Sequence, residues 1–159
     1  MVVTINTDAS FNKKHQIGSY AFWIVSNMGR IQHSGILRSS ISRSEISEFQ
    51  CIINAVHVLG ILGWGNIEHI IINTDCLNVI HLISGDETNI KYHKLEWGLA
   101  LVKQFNKTLA KNKLGKAKID MRHVKSHGTI DSKRTFVNNW CDKSAKEMMG
   151  RKIRETEKK

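Results

Sequence analysis

The triplet Asn-Thr-Asp occurs twice, at Asn6-Thr7-Asp8 and at Asn73-Thr74-Asp75. Each copy closes a run rich in β-branched residues, Val2-Val3-Thr4-Ile5 in the first and His69-Ile70-Ile71-Ile72 in the second. β-Branched residues favour strands, and a run apolar at nearly every position predicts a strand buried on both faces of a sheet. A carboxylate is then expected at the last position of each strand, with Ala9-Ser10 letting the backbone turn after the first. In an open sheet with parallel strands, ligands sit beyond the carboxyl ends. Two interior strands that each deliver an acid there predict a paired-acid site.

The rest of the chain is read around these strands. Ser19 to Ser26 and Arg30 to Leu37, separated by Asn27-Met28-Gly29, read as a second and third strand, so the first three form an antiparallel meander. Ser42 and Glu45 have capping-box spacing, and Ile46, Phe49, Ile52, Ile53, Val56 and Leu59 then recur as one face of a helix of roughly four turns, ending near Gly60 to Gly65. Leu77 to Ser84 reads as a short helix, and Gly85 to Lys91 as a loop. A further helix is predicted from Leu95, Leu99, Val102, Phe105 and Leu109, its other face carrying Lys94, Lys103, Lys107 and Lys111. Lys118 to Val124 is the expected last strand, Ser126 to Thr135 a polar loop, and Phe136 to Met149 the final helix. The expected domain covers residues 1–149, with a charged tail at 150–159 that frays. The resulting α/β architecture is a five-stranded mixed sheet: β1-β2-β3 as an antiparallel meander, β4 and β5 parallel to β1, helices on both faces.

Charge points to the partner. Lys and Arg number 24 against 14 Asp and Glu, a net charge of +10, which favours a polyanion, nucleic acid first. Cys51, Cys76 and Cys141 fit buried free thiols in a reducing compartment better than disulfides, so a cytoplasmic location is expected; a monomer is the expected state. On this reading no window is apolar enough to span a bilayer and no export signal opens the chain, so no membrane partner is expected.

Two more acids sit in apolar surroundings: Glu48, on the helix face shared with Ile52, and Asp142, flanked by Trp140, Cys141 and Ala145. Two like charges about 4 Å apart cost on the order of 4 kcal/mol at an effective dielectric of about 20. Four converging acids therefore need cations, and oxygen-only ligands select Mg²⁺ or Mn²⁺. Two such ions held by shared carboxylates make the arrangement used to cleave phosphodiesters.

The segments Thr7-Asp8-Ala9-Ser10, Glu48-Phe49-Gln50-Cys51-Ile52-Ile53-Asn54-Ala55, Asn73-Thr74-Asp75-Cys76, Val124-Lys125-Ser126-His127-Gly128 and Asn138-Asn139-Trp140-Cys141-Asp142-Lys143-Ser144-Ala145 together resemble type 1 ribonuclease H, in order and spacing, over residues 2–149. The resemblance implies a ribonuclease H-like fold and metal-dependent cleavage of the RNA strand of RNA/DNA hybrids. It implies Asp8, Glu48, Asp75 and Asp142 as ligands of two Mg²⁺ ions, Mn²⁺ being a possible substitute, and His127 as a residue that helps move protons or release product. Glu45 competes with Glu48, but its distance from Ser42 suits a capping role. Asp142 also has a bland reading, as a helix acid paired with Lys146. The family's glycine-rich turn after the first strand is here Asn12-Lys13-Lys14-His15-Gln16-Ile17-Gly18, which places Asn12 near the substrate. The family's basic, tryptophan-bearing protrusion is shortened, leaving Lys91, Lys94 and Trp97 as its substitutes. Arg43 and Ser44, beside the start of the Glu48 helix, are placed to hold a phosphate. The lysines at 103, 107 and 111 read first as a solvated face, with substrate contact as the alternative. Two rival functions are a DNA-directed nuclease of the same fold, resembling a junction resolvase, and a catalytically silent nucleic-acid-binding module.

Overall fold

The structure, a computed structural model, describes residues 1–86, 96–124 and 133–158. Its elements are β1 (Val2–Asn12), β2 (Ile17–Ser26), β3 (Gly29–Ile36), α1 (Ser44–Leu62), β4 (His69–Thr74), α2 (Leu77–Ser84), α3 (Glu96–Lys111), β5 (Lys118–His123) and α4 (Lys133–Glu157). The strands form one open five-stranded sheet in the order β3-β2-β1-β4-β5. β1 to β3 are the expected antiparallel meander, and β4 and β5 run parallel to β1.

Strand alternation divides the core. Val3, Ile5, Phe22, Ile24, Ile70 and Ile72 pack in one cluster with α1, α2 and α3, through Phe49, Ile52, Val79 and Phe105. Ala21 and Trp23, on the opposite face of β2, pack against Cys141 and Ala145 of α4. The helices thus cover both faces, three on one and α4 on the other.

Where the two Asn-Thr-Asp triplets meet, they fix the register. Asn6 pairs with Asn73 across the parallel strands. Asn73 Nδ2 donates to Asn6 Oδ1 at 2.9 Å, and Thr7 Oγ1 donates to the Asn73 carbonyl at 3.3 Å. Both asparagines are buried, so a one-residue slip would strand these amides without partners. Matching triplets in register bring Asp8 and Asp75 to the same level of the sheet.

Several boundaries differ from expectation. β1 does not end at Asp8; it continues to Asn12, because β2 keeps pairing it through Asp8↔Ala21 to Asn12↔Ile17. What ends there is the parallel partner, since β4 last pairs with β1 at Asn6↔Asn73. In the turn that follows β1, Gln16 has φ 53°, the left-handed conformation that glycine adopts at least cost. Its carbonyl accepts the Ile41 N–H at 2.8 Å and its Oε1 accepts the Ser40 hydroxyl at 3.1 Å, which hold it there. The Ser42–Glu45 capping box does not form: α1 starts at Ser44 with Arg43 as its N-cap and no side-chain cap. α1 is also longer than four turns, and by length and composition it is apolar enough to cross a membrane, contrary to the expectation. Its apolar residues are spent on the core, where Phe49, Ile52, Val56 and Leu59 are buried. In α3 the buried face is Gly98, Leu101, Phe105 and Leu109, while Leu99 is exposed. At 3.6 residues per turn Leu99 and Leu101 lie about 200° apart, so only one of them can face α1. α4 already includes Lys133 to Thr135, and the tail from Gly150 does not fray. The helix continues to Glu157, seated by buried Met149 and by an approach of 3.5 Å between His15 Nε2 and Glu157 Oε1.

Candidate functional site

Asp8, Glu48 and Asp75 converge at the edge of the sheet where β4 leaves β1. Each offers a carboxylate oxygen, and these oxygens all lie within 4.8 Å of one another. The three arrive by different routes: Asp8 on the stretch of β1 beyond its parallel partner, Asp75 directly after β4, and Glu48 from the second turn of α1. Packing of α1 onto β1 and β2 through Phe49 and Ile52 delivers the glutamate. Buried Cys51, one turn on, donates to the carbonyls of Asp8 and Ala21, both at 3.4 Å, and so ties α1 to the backbone of the site. Cys141 makes the matching contact from α4, to the Asn6 carbonyl at 3.6 Å. All three cysteines are free thiols, although Cys76 is only half-buried.

The electrostatics are those of crowded, poorly solvated anions. Burial, then the charges of Asp75 and Asp142, push the Asp8 carboxyl from 3.8 up to about 8, although a 2.9 Å hydrogen bond from the Ala9 N–H pulls the other way. Glu48 is driven well above its ordinary 4.5, first by burial and then by Asp8 and Asp75. Its Oε2 is buried and has no hydrogen-bond partner among the described residues. Without a counter-cation, this centre holds protons at neutral pH. An orphaned buried oxygen in an all-oxygen cluster fits a hard divalent cation, which removes the repulsion that burial magnifies.

Asp142 comes from α4, on the other side of the sheet. It shares a hydrogen bond with Asp8 and adds its charge to that carboxyl. It also pairs with Lys146 at 3.0 Å, as its bland reading expects, and its side chain is 41% exposed. Asp142 lies outside the tight cluster of three.

The expected substrate contacts are only partly assembled. Arg43 and Ser44 do stand at the start of α1, and the Arg43 guanidinium lies 5.8 Å over the Trp97 ring. Trp97 leans on the core, with its Nε1 buried and without a partner among the described residues. Asn12 is instead committed to the turn after β1, where its Oδ1 accepts the His15 N–H at 2.9 Å. Lys91, Lys94 and His127 lie outside the described residues. Sequence reasoning missed the Asn6–Asn73 pair and the two thiol contacts. The first was signalled by asparagine recurring in both triplets; the second had no local signal, since it spans three elements.

A family model described as RNase H matches residues 1–149. No curated protein matches the sequence. Among solved structures, the N-terminal RNase H domain of Rv2228c from Mycobacterium tuberculosis superposes with a TM-score of 0.72 at 14% identity, covering 98% of each chain. RNase H1 from the halophilic archaeon Halobacterium salinarum NRC-1 gives 0.66 at 15% identity, covering 94% of this chain and 98% of that one. LC11-RNase H1, solved in complex with an RNA/DNA hybrid, gives 0.68 at 14% identity, covering 95% of this chain and 99% of that one.

Proposed function

Because the chain belongs to the RNase H family, we propose that it is an endoribonuclease that hydrolyses the RNA strand of RNA/DNA hybrids. The observation that carries this reading is the cluster of Asp8, Glu48 and Asp75, with oxygens within 4.8 Å, where Glu48 Oε2 is buried without a partner among the described residues. A fold-mate that binds a hybrid supports the choice of substrate. Asp8, Glu48 and Asp75 would hold Mg²⁺ or Mn²⁺, with Asp142 completing a two-ion site. Bound there, the ions would supply an activated water and charge stabilisation at the leaving oxygen.

The chain's own groups do the rest. Asp8 bridges the centre, since it shares a hydrogen bond with Asp142 and feels the charge of Asp75. The Ala9 N–H orients its carboxylate, and the Asn6–Asn73 pair sets the height of Asp8 and Asp75 relative to each other. Arg43 and Ser44 would hold a substrate phosphate at the N-terminus of α1, where the helix dipole favours an anion, with Trp97 bracing the guanidinium. His127 is assigned proton movement or product release on the family pattern, and Lys91 and Lys94 the basic contacts of a shortened protrusion. The three free thiols favour a reducing, cytoplasmic compartment.

The test is cleavage of an end-labelled hybrid with Mg²⁺, beside duplex DNA, duplex RNA and a four-way junction, with Asp8→Asn as control. Cutting confined to the RNA strand of the hybrid, and lost in the variant, is the expected result. Cleavage of the junction or of DNA would replace this reading with the DNA-directed one. Binding without cuts in any metal would leave a silent module.

A further inference from the structure

The net positive charge of the chain is not spent only near the carboxylates. Along α4, Lys143, Lys146, Arg151 and Arg154 line a groove of about 620 Å³ together with Asp142, Glu147 and Gly150. One end of this groove is Asp142, the same residue that acts on Asp8 in the carboxylate centre. Asp142 is thus the residue that the groove and the carboxylate centre share. From Asp142 to Arg154 the helix rises about 18 Å at 1.5 Å per residue. That matches about five nucleotides of one strand at 3.4 Å each.

The cations of the groove are available. Lys146 is held by Asp142, but Lys143, Arg151 and Arg154 are exposed and form no ion pair among the described residues. Gly150 gives a second, independent sign. It sits inside α4, where glycine costs about 1 kcal/mol relative to alanine. Backbone packing does not require it, since a Cβ there would meet only the Arg154 Nη1, at 3.4 Å. With no side chain at Gly150 the floor of the groove is open, and the Arg154 guanidinium lies back over this turn of the helix.

We propose that this groove of α4 is a phosphodiester track, which takes the backbone of a nucleic-acid strand as it leaves the carboxylate centre. The inference rests on the nuclease reading above and names the surface that holds substrate beyond the cut. Arginine suits the task because its planar fork pairs with phosphate oxygens two at a time. Glu147, the one acid of the groove besides Asp142, sets a boundary that a phosphate avoids.

The experiment compares wild type with Arg151→Gln/Arg154→Gln, measuring hybrid binding by fluorescence anisotropy in EDTA over a salt series and cleavage kinetics in Mg²⁺. Lys116→Gln/Lys118→Gln, at the amino end of β5, removes the same charge from the far end of the sheet. For two lost phosphate contacts, the slope of log affinity on log salt should shrink by about 1.8, at 0.9 per contact. KM for a long hybrid should rise severalfold, and the difference should vanish on a hybrid too short to reach Arg154. Gly150→Met should lower affinity by plugging the floor of the groove. A salt slope unchanged in the double arginine variant, or reduced equally by the control pair, overturns the track while wild-type cleavage keeps the nuclease reading. A wild type that binds no nucleic acid overturns both.

Discussion

Replacing Asp8 with asparagine should stabilise the metal-free protein at alkaline pH while destroying the metal site. In the fold the Asp8 carboxyl keeps its proton up to about pH 8, against 3.8 for the free group. Between those values the folded state binds more protons than the unfolded one, so the stability this group contributes is complete below about pH 4 and is lost as pH rises through about 8. At 1.36 kcal/mol per pH unit, the full gap corresponds to about 6 kcal/mol. Asparagine removes the charge, but it leaves Glu48 and Asp75 repelling each other and adds a buried amide that needs a partner. We therefore expect about half of that figure, near 3 kcal/mol, which for a chain of this size raises the Tm by about 6–12 °C. The assay is thermal melting of wild type and Asp8→Asn in EDTA from pH 5 to 8.5. The readout is their difference, because the net charge of +10 falls with pH in both proteins and pushes stability the other way. The gap should be small at pH 5 and widest at pH 8.5, and Mg²⁺ should close it by stabilising wild type alone. A variant that melts below wild type at pH 8.5 without metal would refute the repulsion argument.

Asp75→Asn should abolish cleavage and keep the fold, read by hybrid cleavage beside circular dichroism, whereas His127→Ala should slow turnover without ending it. Asn73→Ala leaves the buried Asn6 amide without its partner and should cost about 1–3 kcal/mol in chemical denaturation. Gly60→Ala drives a Cβ into the Asn112 side chain, its Cβ included, where α1 passes the end of α3, so it should destabilise, and Asn112→Gly should restore part of the loss. Burial pushes the Cys76 thiol from 9.0 up to about 12, so native alkylation at pH 8 should run about a thousandfold slower than in the unfolded chain.

Elements with local signals were legible along the chain. β-Branched runs ending in Asn-Thr-Asp announced β1 and β4, and the helical recurrence from Ile46 to Leu59 announced α1. Glu48 could be placed on the inward face with Ile52 by helical periodicity, although the capping role that set Glu45 aside does not form. The composition foretold a basic surface without saying where it lay. Tertiary structure decided what depends on partners distant in sequence. β1 runs on to Asn12 because β2 pairs it, and no residue of β1 encodes that continuation. Leu101 rather than Leu99 faces the core because α3 must rotate to meet α1, and periodicity alone allows either stripe. The carboxyl end of α4 stays helical because Met149 and the turn after β1 give it something to rest on, where composition alone suggested a fraying tail. The same holds for the site. Four acids could be named from the sequence, but only packing places three of them within one ion's reach and sets Asp142 on α4 between that centre and a basic groove. Charges that meet across two faces of a sheet are a property of the assembled layers, and no window of the chain contains them.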